Sequence, residues 1–204
     1  MIKRTRWLTG PALALAALAL TACSAPPADP TPAPEEQVKD QPQPDATDHN
    51  AADAEFAQMM IIHHEGAIEM AELIIEEASN QEVRALGERI AAAQGPEIDL
   101  MSGWLDRWGE AQPDEADMGG MGHGGMEMDG MDQAEVMAEL SGLIGVDVDR
   151  RFLELMIEHH LGAIEMAEAL RTEGLSQDAT ELAGKIIDDQ MAEITQMTNL
   201  LRSL

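Results

Sequence analysis

The sequence predicts an all-α protein in which four amphipathic helices form a bundle from two repeated helical hairpins. Apolar side chains recur at steps of three and four residues along four long segments, which is the period of a helix with one buried face. A stretch in the first half returns 96 residues later, in a register that needs no gap over about fifty residues. Aromatic residues make up only 2% of the chain, so small and aliphatic side chains must fill the core and allow close helix packing.

The repeat is centred on residues 60–72 and 156–168, which are near-copies and place two adjacent histidines on the first helix of each hairpin. The domain, residues 48–204, is therefore an internal duplication of a two-helix unit, with units at residues 48–108 and 133–204. The shift of 96 also aligns residues outside the near-copies: Asp53 with Asp149, Phe56 with Phe152, Gln94 with Gln190, Glu97 with Glu193 and Met101 with Met197.

Residues 1–22 have the features of a signal peptide, with basic side chains within residues 3–6 and an apolar run over residues 12–20. The run is shorter than the roughly 20 residues that a bilayer-spanning helix needs. The sequence Leu20-Thr21-Ala22-Cys23 resembles the bacterial lipoprotein processing box, which implies cleavage before Cys23 and attachment of lipid to its sulfur. An ordinary secretory signal with a chance cysteine is the alternative. We therefore expect an exported protein that is anchored to the cell membrane by lipid at Cys23.

Residues 23–47 follow as a tether that is rich in proline and unable to bury apolar surface. The first unit is expected to contain helices over residues 50–78 and 79–108. Ser79 stands at capping-box spacing from Glu82, which predicts Ser79 as the cap of the second helix. Pro96 is expected to interrupt and kink that helix, because it has no N–H to donate and its ring crowds the preceding turn.

The second unit is expected to contain three helices, over residues 133–140, 147–172 and 176–201. Ser176 is expected to cap the last of them, as the equivalent of Ser79. The arrangement of the four long helices in space is left open. An up-down-up-down bundle makes the first helices of the two units parallel, with their His-His pairs at the same level. A long crossover through residues 109–146 makes these helices antiparallel and is expected to offset the pairs.

Both halves carry the pattern Asp-x-x-Phe, Met-Ile-x-His-His-x-Gly-Ala-Ile-x-Met-Ala and Gln-x-x-Glu-Ile-x-x-Met. On these motifs the chain resembles the ferritin-like bacterial family known as domain of unknown function 305, over about residues 48 to 204. The resemblance implies an exported, ferritin-like four-helix bundle. It also implies a link to copper, since some members of that family handle copper outside the cytoplasm.

The formal charge of −27, from 39 acidic and 12 basic side chains, argues against nucleic acid as a partner. Such a charge suits cations, although it also serves to keep an exported protein soluble. The single cysteine, Cys23, excludes an intramolecular disulfide and a thiolate metal cluster. A soft metal ligand must therefore come from the 15 methionines.

Six side chains on the first helices of the two units are candidate metal ligands: Met60, His63, His64, Met156, His159 and His160. In each unit the methionine lies three and four residues before the two histidines, the spacing at which helical side chains meet. Imidazole and thioether without thiolate favour copper, Cu(I) especially, over zinc or calcium.

The Met- and Gly-rich segment at residues 109–132 is a second candidate copper site. Its candidate ligands are Met118, Met121, His123, Met126, Met128 and Met131. We expect these side chains to be exposed and to serve no packing purpose, so the bundle should fold without residues 114–131. A plain linker is the alternative.

The alternative for the helix histidines is a structural role, as polar core pairs hydrogen-bonded to carboxylates such as Glu69 and Glu165. Core packing is the expected role of four further methionines on the apolar stripes: Met70, Met101, Met166 and Met197. An enzyme is not expected, because ferritin-like di-iron sites carry Glu-x-x-His, whereas methionine stands three residues before His63 and His159.

The sequence thus predicts a membrane-tethered protein that binds or buffers copper in the cell envelope. Its expected partners are a metal ion and, through the lipid, the membrane; no protein partner is indicated. A non-enzymatic interaction module with structural histidines is the alternative.

Overall fold

The structure, a computed structural model, describes residues 49–113, 128 and 131–204. Five helices make up this part of the chain: α1 (Ala51–Glu77), α2 (Gln81–Trp108), α3 (Gln133–Ser141), α4 (Val146–Glu173) and α5 (Gln177–Ser203). The prediction of an all-α, ferritin-like bundle of two repeated hairpins is confirmed. Within the described residues no helix is long and apolar enough to cross a membrane. The leader, Cys23 and the tether lie outside the described residues.

The two hairpins, α1–α2 and α4–α5, pack against each other through α1 and α4, which run antiparallel. Asn50, before α1, donates to the carbonyl of Glu173 at the end of α4 (2.8 Å), while His63 and His159 meet at mid-helix. The chain therefore uses the long crossover. The expectation that this topology offsets the His-His pairs was wrong, because the axis of pseudo-symmetry between the hairpins passes close to both pairs.

Helix α2 runs without interruption from Gln81 to Trp108, so the expected interruption at Pro96 was wrong. Proline removes the donor that would pair with the carbonyl four residues earlier. Here that residue is Ala92, and both Ala92 and Pro96 are exposed, so water can satisfy the carbonyl. The cost of the proline is correspondingly smaller than in a buried helix.

Helix caps follow the duplicated register rather than the expected serines. Asn80, not Ser79, caps α2, and Ser176 caps α5 as expected. The shift of 96 aligns Ser176 with Asn80, so the two caps are equivalent positions. Asn50 caps α1 and forms a capping box with Asp53.

Two buried aspartates link the hairpins by holding each other's turns. Asp53 of α1 accepts hydrogen bonds from the backbone N–H groups of Leu175 and Ser176 before α5 (3.0 and 3.1 Å). Asp149 of α4 accepts from the backbone N–H groups of Ser79 and Asn80 before α2 (3.1 and 2.9 Å) and from the Ser79 hydroxyl. We call these two contacts the reciprocal clamps. They supply acceptors for N–H groups at the starts of α2 and α5, which are partly or fully buried and have no partner within their own helices.

Helix α3 and the end of the Met-rich segment cover one side of the α1–α4 pair. Val136 and Leu140 of α3 are fully buried and join a core cluster that also contains Phe152. Met128 is 1% exposed within the same cluster, and Met131 packs against it. The expectation that the methionines of this segment serve no packing purpose is therefore wrong for Met128 and Met131, because they extend the apolar face of α3.

We expect Asp149→Ala to lower the free energy of unfolding by about 1–3 kcal/mol, because it leaves the part-buried N–H groups of Ser79 and Asn80 without their acceptor. Urea unfolding followed by circular dichroism measures the change. Asp99→Ala, at an exposed acid on α2, is the matched control, and we expect it to stay within about 0.5 kcal/mol of wild type. A loss for Asp149→Ala no larger than that of the control contradicts the prediction.

Candidate metal centre

Four buried histidines lie at the level where α1 crosses α4, and we call them the central histidines: His63, His64, His159 and His160. The ring centroids of His63 and His159 are 3.6 Å apart, with the rings tilted by 45°. Adjacent residues on a helix point about 100° apart. His64 and His160 therefore turn away from the α1–α4 contact, toward the second helix of their own hairpins.

Each of these outer histidines binds a glutamate on the second helix of its hairpin. His64 Nε2 lies 2.9 Å from Oε2 of Glu97 on α2, and His160 Nε2 lies 2.7 Å from Oε2 of Glu193 on α5. A carboxylate only accepts, so Nε2 carries the hydrogen in both rings. The imidazole tautomer is thereby fixed in each hairpin.

The sequence suggested Glu69 and Glu165 as hydrogen-bond partners of the central histidines, and this suggestion was wrong. Both are exposed, and Glu69 instead accepts a hydrogen bond from Gln133 of α3 (2.8 Å). The true partners, Glu97 and Glu193, were visible as the Glu of the duplicated Gln-x-x-Glu pattern. Their role was missed because spacing within one helix cannot show which residue of another helix lies opposite.

The second ring nitrogen of three central histidines is buried without a hydrogen-bond partner. This holds for Nδ1 of His64, His159 and His160. In His64 and His160 the hydrogen sits on Nε2, so Nδ1 presents a lone pair. A carboxylate on one nitrogen and a free lone pair on the other is the arrangement of a metal-ligating histidine with its outer-shell partner.

Soft sulfur lies one turn away from each outer histidine. Met60 is fully buried in the apolar cluster that contains Met101, and Met156 is fully buried in the cluster that contains Met197. Met60 precedes His64 by four residues and Met156 precedes His160 by four, so each thioether shares a helix face with an imidazole. The chemistry available at the centre is therefore that of imidazole nitrogen and thioether sulfur, with carboxylates behind.

The surroundings of the centre favour the neutral form of His159 and the ionised form of Glu97. Burial lowers the pKa of His159 well below its ordinary value, and positive charge on His63 and the other central histidines lowers it further. Burial alone would raise the pKa of Glu97, but the hydrogen bonds donated by His64 and Lys185 outweigh it and lower that pKa, and the positive charge of Lys185 lowers it further. A neutral imidazole is the form that binds metal.

Lys185 of α5 makes the two halves of the centre unequal. Its Nζ donates to Oε1 of Glu97 at 2.9 Å and to Asp189 at 2.6 Å, and these bonds raise the pKa of Lys185. The equivalent residue in the first hairpin is Arg89, which instead donates to the carbonyl of Ala85 in its own helix. The carboxylate behind His64 is thus held by a cation of the other hairpin.

The predicted ligands are brought together only in part. The helix set converges on one level of the bundle, yet among the described residues no three His, Cys, Asp or Glu side chains are arranged to hold one ion. Of the predicted loop ligands, Met118, Met121, His123 and Met126 lie outside the described residues. Met128 and Met131 belong to the packing around α3.

We expect acid to destabilise the metal-free protein through His159. Its pKa is lowered in the folded state, so below about pH 6.5 the unfolded chain takes up a proton that the folded chain does not. The contribution of this group to the free energy of unfolding is therefore full above that pH. Below it, the free energy of unfolding falls by up to about 1.4 kcal/mol per pH unit. Urea unfolding of wild type and His159→Gln at about pH 7.5 and about pH 5.5 measures it.

His159→Gln should show a smaller fall in stability between these pH values than wild type. An equal fall in the two proteins would contradict the prediction. The lowered pKa of Glu97 acts in a separate window, since its contribution is lost only as pH drops below the ordinary carboxyl range.

Comparison with other proteins agrees with the duplicated motif. The family described as domain of unknown function (DUF305) matches residues 53–201. A DUF305 protein from Streptomyces coelicolor, described as secreted, is 34% identical over 74% of this chain and 91% of its own, with a TM-score of 0.66. A DUF305 fragment from Deinococcus radiodurans is 29% identical, covering 76% and 98% of the two chains, with a TM-score of 0.67.

The structure is also similar to CopM. The Cu(II)-bound form of CopM is 32% identical over 74% of this chain and 96% of its own, with a TM-score of 0.63. The Cu(I)-bound form is 30% identical with the same coverage and a TM-score of 0.61. No curated protein matches the sequence. With a family match across most of its length and both helical hairpins, the chain belongs to the DUF305 family.

Proposed function

We propose that this chain is an exported, lipid-tethered protein that binds copper in the cell envelope, without catalysing a reaction. The observation that carries the proposal is the orphaned Nδ1 lone pair of His64 and His160, each backed by a carboxylate on Nε2. An unsatisfied buried nitrogen costs about 1–3 kcal/mol. A metal ion would satisfy it, and the nearest soft ligands are the thioethers of Met60 and Met156.

Copper fits this donor set better than the common alternatives. Calcium and magnesium prefer oxygen ligands, and structural zinc prefers thiolate, which the folded domain lacks. Thioether and imidazole suit Cu(I). CopM, crystallised in Cu(I)-bound and Cu(II)-bound forms, shares the fold at about 30% identity, which supports copper as the cargo here. The central side chains would have to change rotamer to share an ion, since no three of the described His, Cys, Asp or Glu stand ready to do so.

The Met-rich segment is proposed as a second copper site, now restricted to Met118, Met121, His123 and Met126. Their thioethers and imidazole have the same preference for soft metal as the centre. Buffering, meaning reversible storage of several ions per chain, is the role that two such sites support.

A second function, that of a non-enzymatic interaction module with structural histidines, is favoured by a specific observation. The bonds from His64 to Glu97 and from His160 to Glu193 already give each outer histidine a polar partner in the core. The two functions need different things from the outer histidines. Copper binding requires the imidazole nitrogen itself, whereas a structural role requires only a hydrogen-bond donor to the glutamate.

Export and lipid attachment are supported by the leader and by Cys23 at the end of the lipoprotein-type box. The Streptomyces relative is described as secreted, which agrees with export. Several acyl chains on one residue anchor a protein stably, whereas one chain is marginal. The lipid is the membrane partner in this proposal, and nucleic acid is not a partner.

We expect the double variant His64→Gln, His160→Gln to bind fewer Cu(I) ions per chain than wild type while remaining folded. The glutamine amide can still donate to Glu97 and Glu193, but it offers no imidazole nitrogen. Anaerobic titration with a competing Cu(I) chelator at neutral pH measures the stoichiometry. His49→Gln, a histidine outside the centre, should keep the wild-type number.

A third variant, with residues 114–127 replaced by a Gly/Ser linker, should lose a separate set of ions. Met128 and Met131 are kept because they pack around α3. If the double glutamine variant binds as many ions as wild type, the central histidines are structural and the interaction module takes the place of the copper centre.

We expect Cys23→Ala to release the exported protein from the membrane fraction, because residues 24–48 offer no other hydrophobic anchor. Fractionation of the cell envelope followed by immunoblotting measures the distribution. A substitution of the neighbouring Ser24 by Ala is the control and should leave the protein with the membrane. Retention of Cys23→Ala after a high-salt wash would refute the lipid anchor.

A further inference from the structure

The pseudo-symmetry of the two hairpins creates two equivalent grooves between α1 and α4, one at each end of the contact. The covered groove lies between the end of α1 and the start of α4 and is filled by α3. Val136 and Leu140, four residues apart on α3, insert into it beside Phe152 and are fully buried. The covered groove therefore shows what kind of element fills such a surface: a short amphipathic helix with two apolar side chains one turn apart.

The open groove lies between the start of α1 and the end of α4, and none of the described residues covers it. It encloses about 210 Å³ and is lined by Ala52, Glu55, Phe56, Met59, Met166, Ala169, Leu170 and Glu173. Met166 is half-buried, whereas its equivalent Met70 is fully buried under α3. Phe56 forms the floor as Phe152 does in the covered groove. The open groove thus has the apolar floor of a docking surface without the helix.

The rims of the two grooves carry opposite charge at the equivalent position. At the covered groove Arg151 binds Glu139 of α3, with Nε and Oε1 2.9 Å apart. The shift of 96 puts Glu55, an exposed acid, at the place of Arg151. Glu173 also lines the open groove, and no described basic side chain does so.

We propose that the open groove is a docking site for a basic amphipathic helix of a partner protein. To fit the apolar floor, the partner helix needs two apolar side chains one turn apart, as α3 has. To pair with Glu55, it needs Lys or Arg at the position where α3 has Glu139. A second copy of this chain is a poor occupant, because each copy carries a formal charge of −27. This site is distinct from the central histidines and does not depend on copper binding.

Two helix-stabilised peptides that differ in one residue test the charge rule. Both carry the sequence of residues 132–142, with a hydrocarbon staple joining the exposed positions of Ala134 and Ala138. One keeps Glu139 and the other has Lys in its place. Fluorescence anisotropy with the full chain is expected to show at least tenfold tighter binding of the Lys peptide, weakened by salt.

The charge swap in the protein should reverse the preference. Glu55→Arg is expected to bind the Glu peptide at least tenfold more tightly than the Lys peptide, as Arg151 does for α3. Glu88→Arg, the same change on an exposed part of α2, should keep the wild-type order. Ala169→Trp fills the groove and should abolish binding of both peptides. Each variant is first shown to melt as wild type does.

Four outcomes overturn the proposal. The first is that neither peptide binds, and the second is that Glu55→Arg fails to reverse the order of their affinities. Sedimentation equilibrium shows a wild-type dimer that Ala169→Trp dissociates, which makes a second copy the occupant. A variant with residues 114–127 replaced by Gly/Ser binds the Lys peptide at least tenfold more tightly than wild type, which makes that segment of the same chain the occupant.

Discussion

The antiparallel contact between α1 and α4 is the constraint on which the rest of the structure depends. It places an axis of pseudo-symmetry between His63 and His159, whose rings are in contact. On the two sides of this axis, Asp53 and Asp149 hold the turns of the opposite hairpins. A slip of one residue between the helices would separate the imidazoles and break both reciprocal clamps. The register is thus fixed at three points along the helix pair, which apolar packing of small side chains alone would specify less strictly.

The polar centre has a cost that an apolar core would not carry. Imidazoles that are fully buried lose hydration, and the lowered pKa of His159 is one measure of that loss. Glutamates from α2 and α5 compensate one nitrogen of each outer histidine, while Nδ1 remains without a partner. Burying such groups between two helices is weak support for stability, since well-packed hydrophobic residues often do as well. The unsatisfied lone pairs therefore favour a ligand over a purely structural role.

The sequence predicted what depends on local pattern and failed where two helices must meet. Helix periodicity and the register of 96 were enough for the bundle, the duplication and the central histidines. Glu97 and Glu193 could not be assigned, because their role comes from packing opposite His64 and His160. The role of Ser79 was misjudged for the same reason: its partner, Asp149, lies 70 residues away in the other hairpin. Met128 was predicted to be an exposed loop residue, because the sequence alone does not show that it packs in the same apolar cluster as α3.

The two hairpins carry the same candidate ligands at the centre and different residues at the surface, and this separates two proposed functions. Met60, His64 and Glu97 are matched by Met156, His160 and Glu193, although Lys185 binds Glu97 and makes the surroundings of the two glutamates unequal. At the rims the matched residues differ in chemistry, with Glu55 opposite in charge to Arg151. Differences at the rim alter what the surface can bind while leaving the interior packing unchanged, because exposed positions tolerate substitution far better than buried ones. The duplicated ligands of the interior can therefore keep the proposed copper chemistry while the covered groove holds α3 and the open groove takes the proposed partner helix.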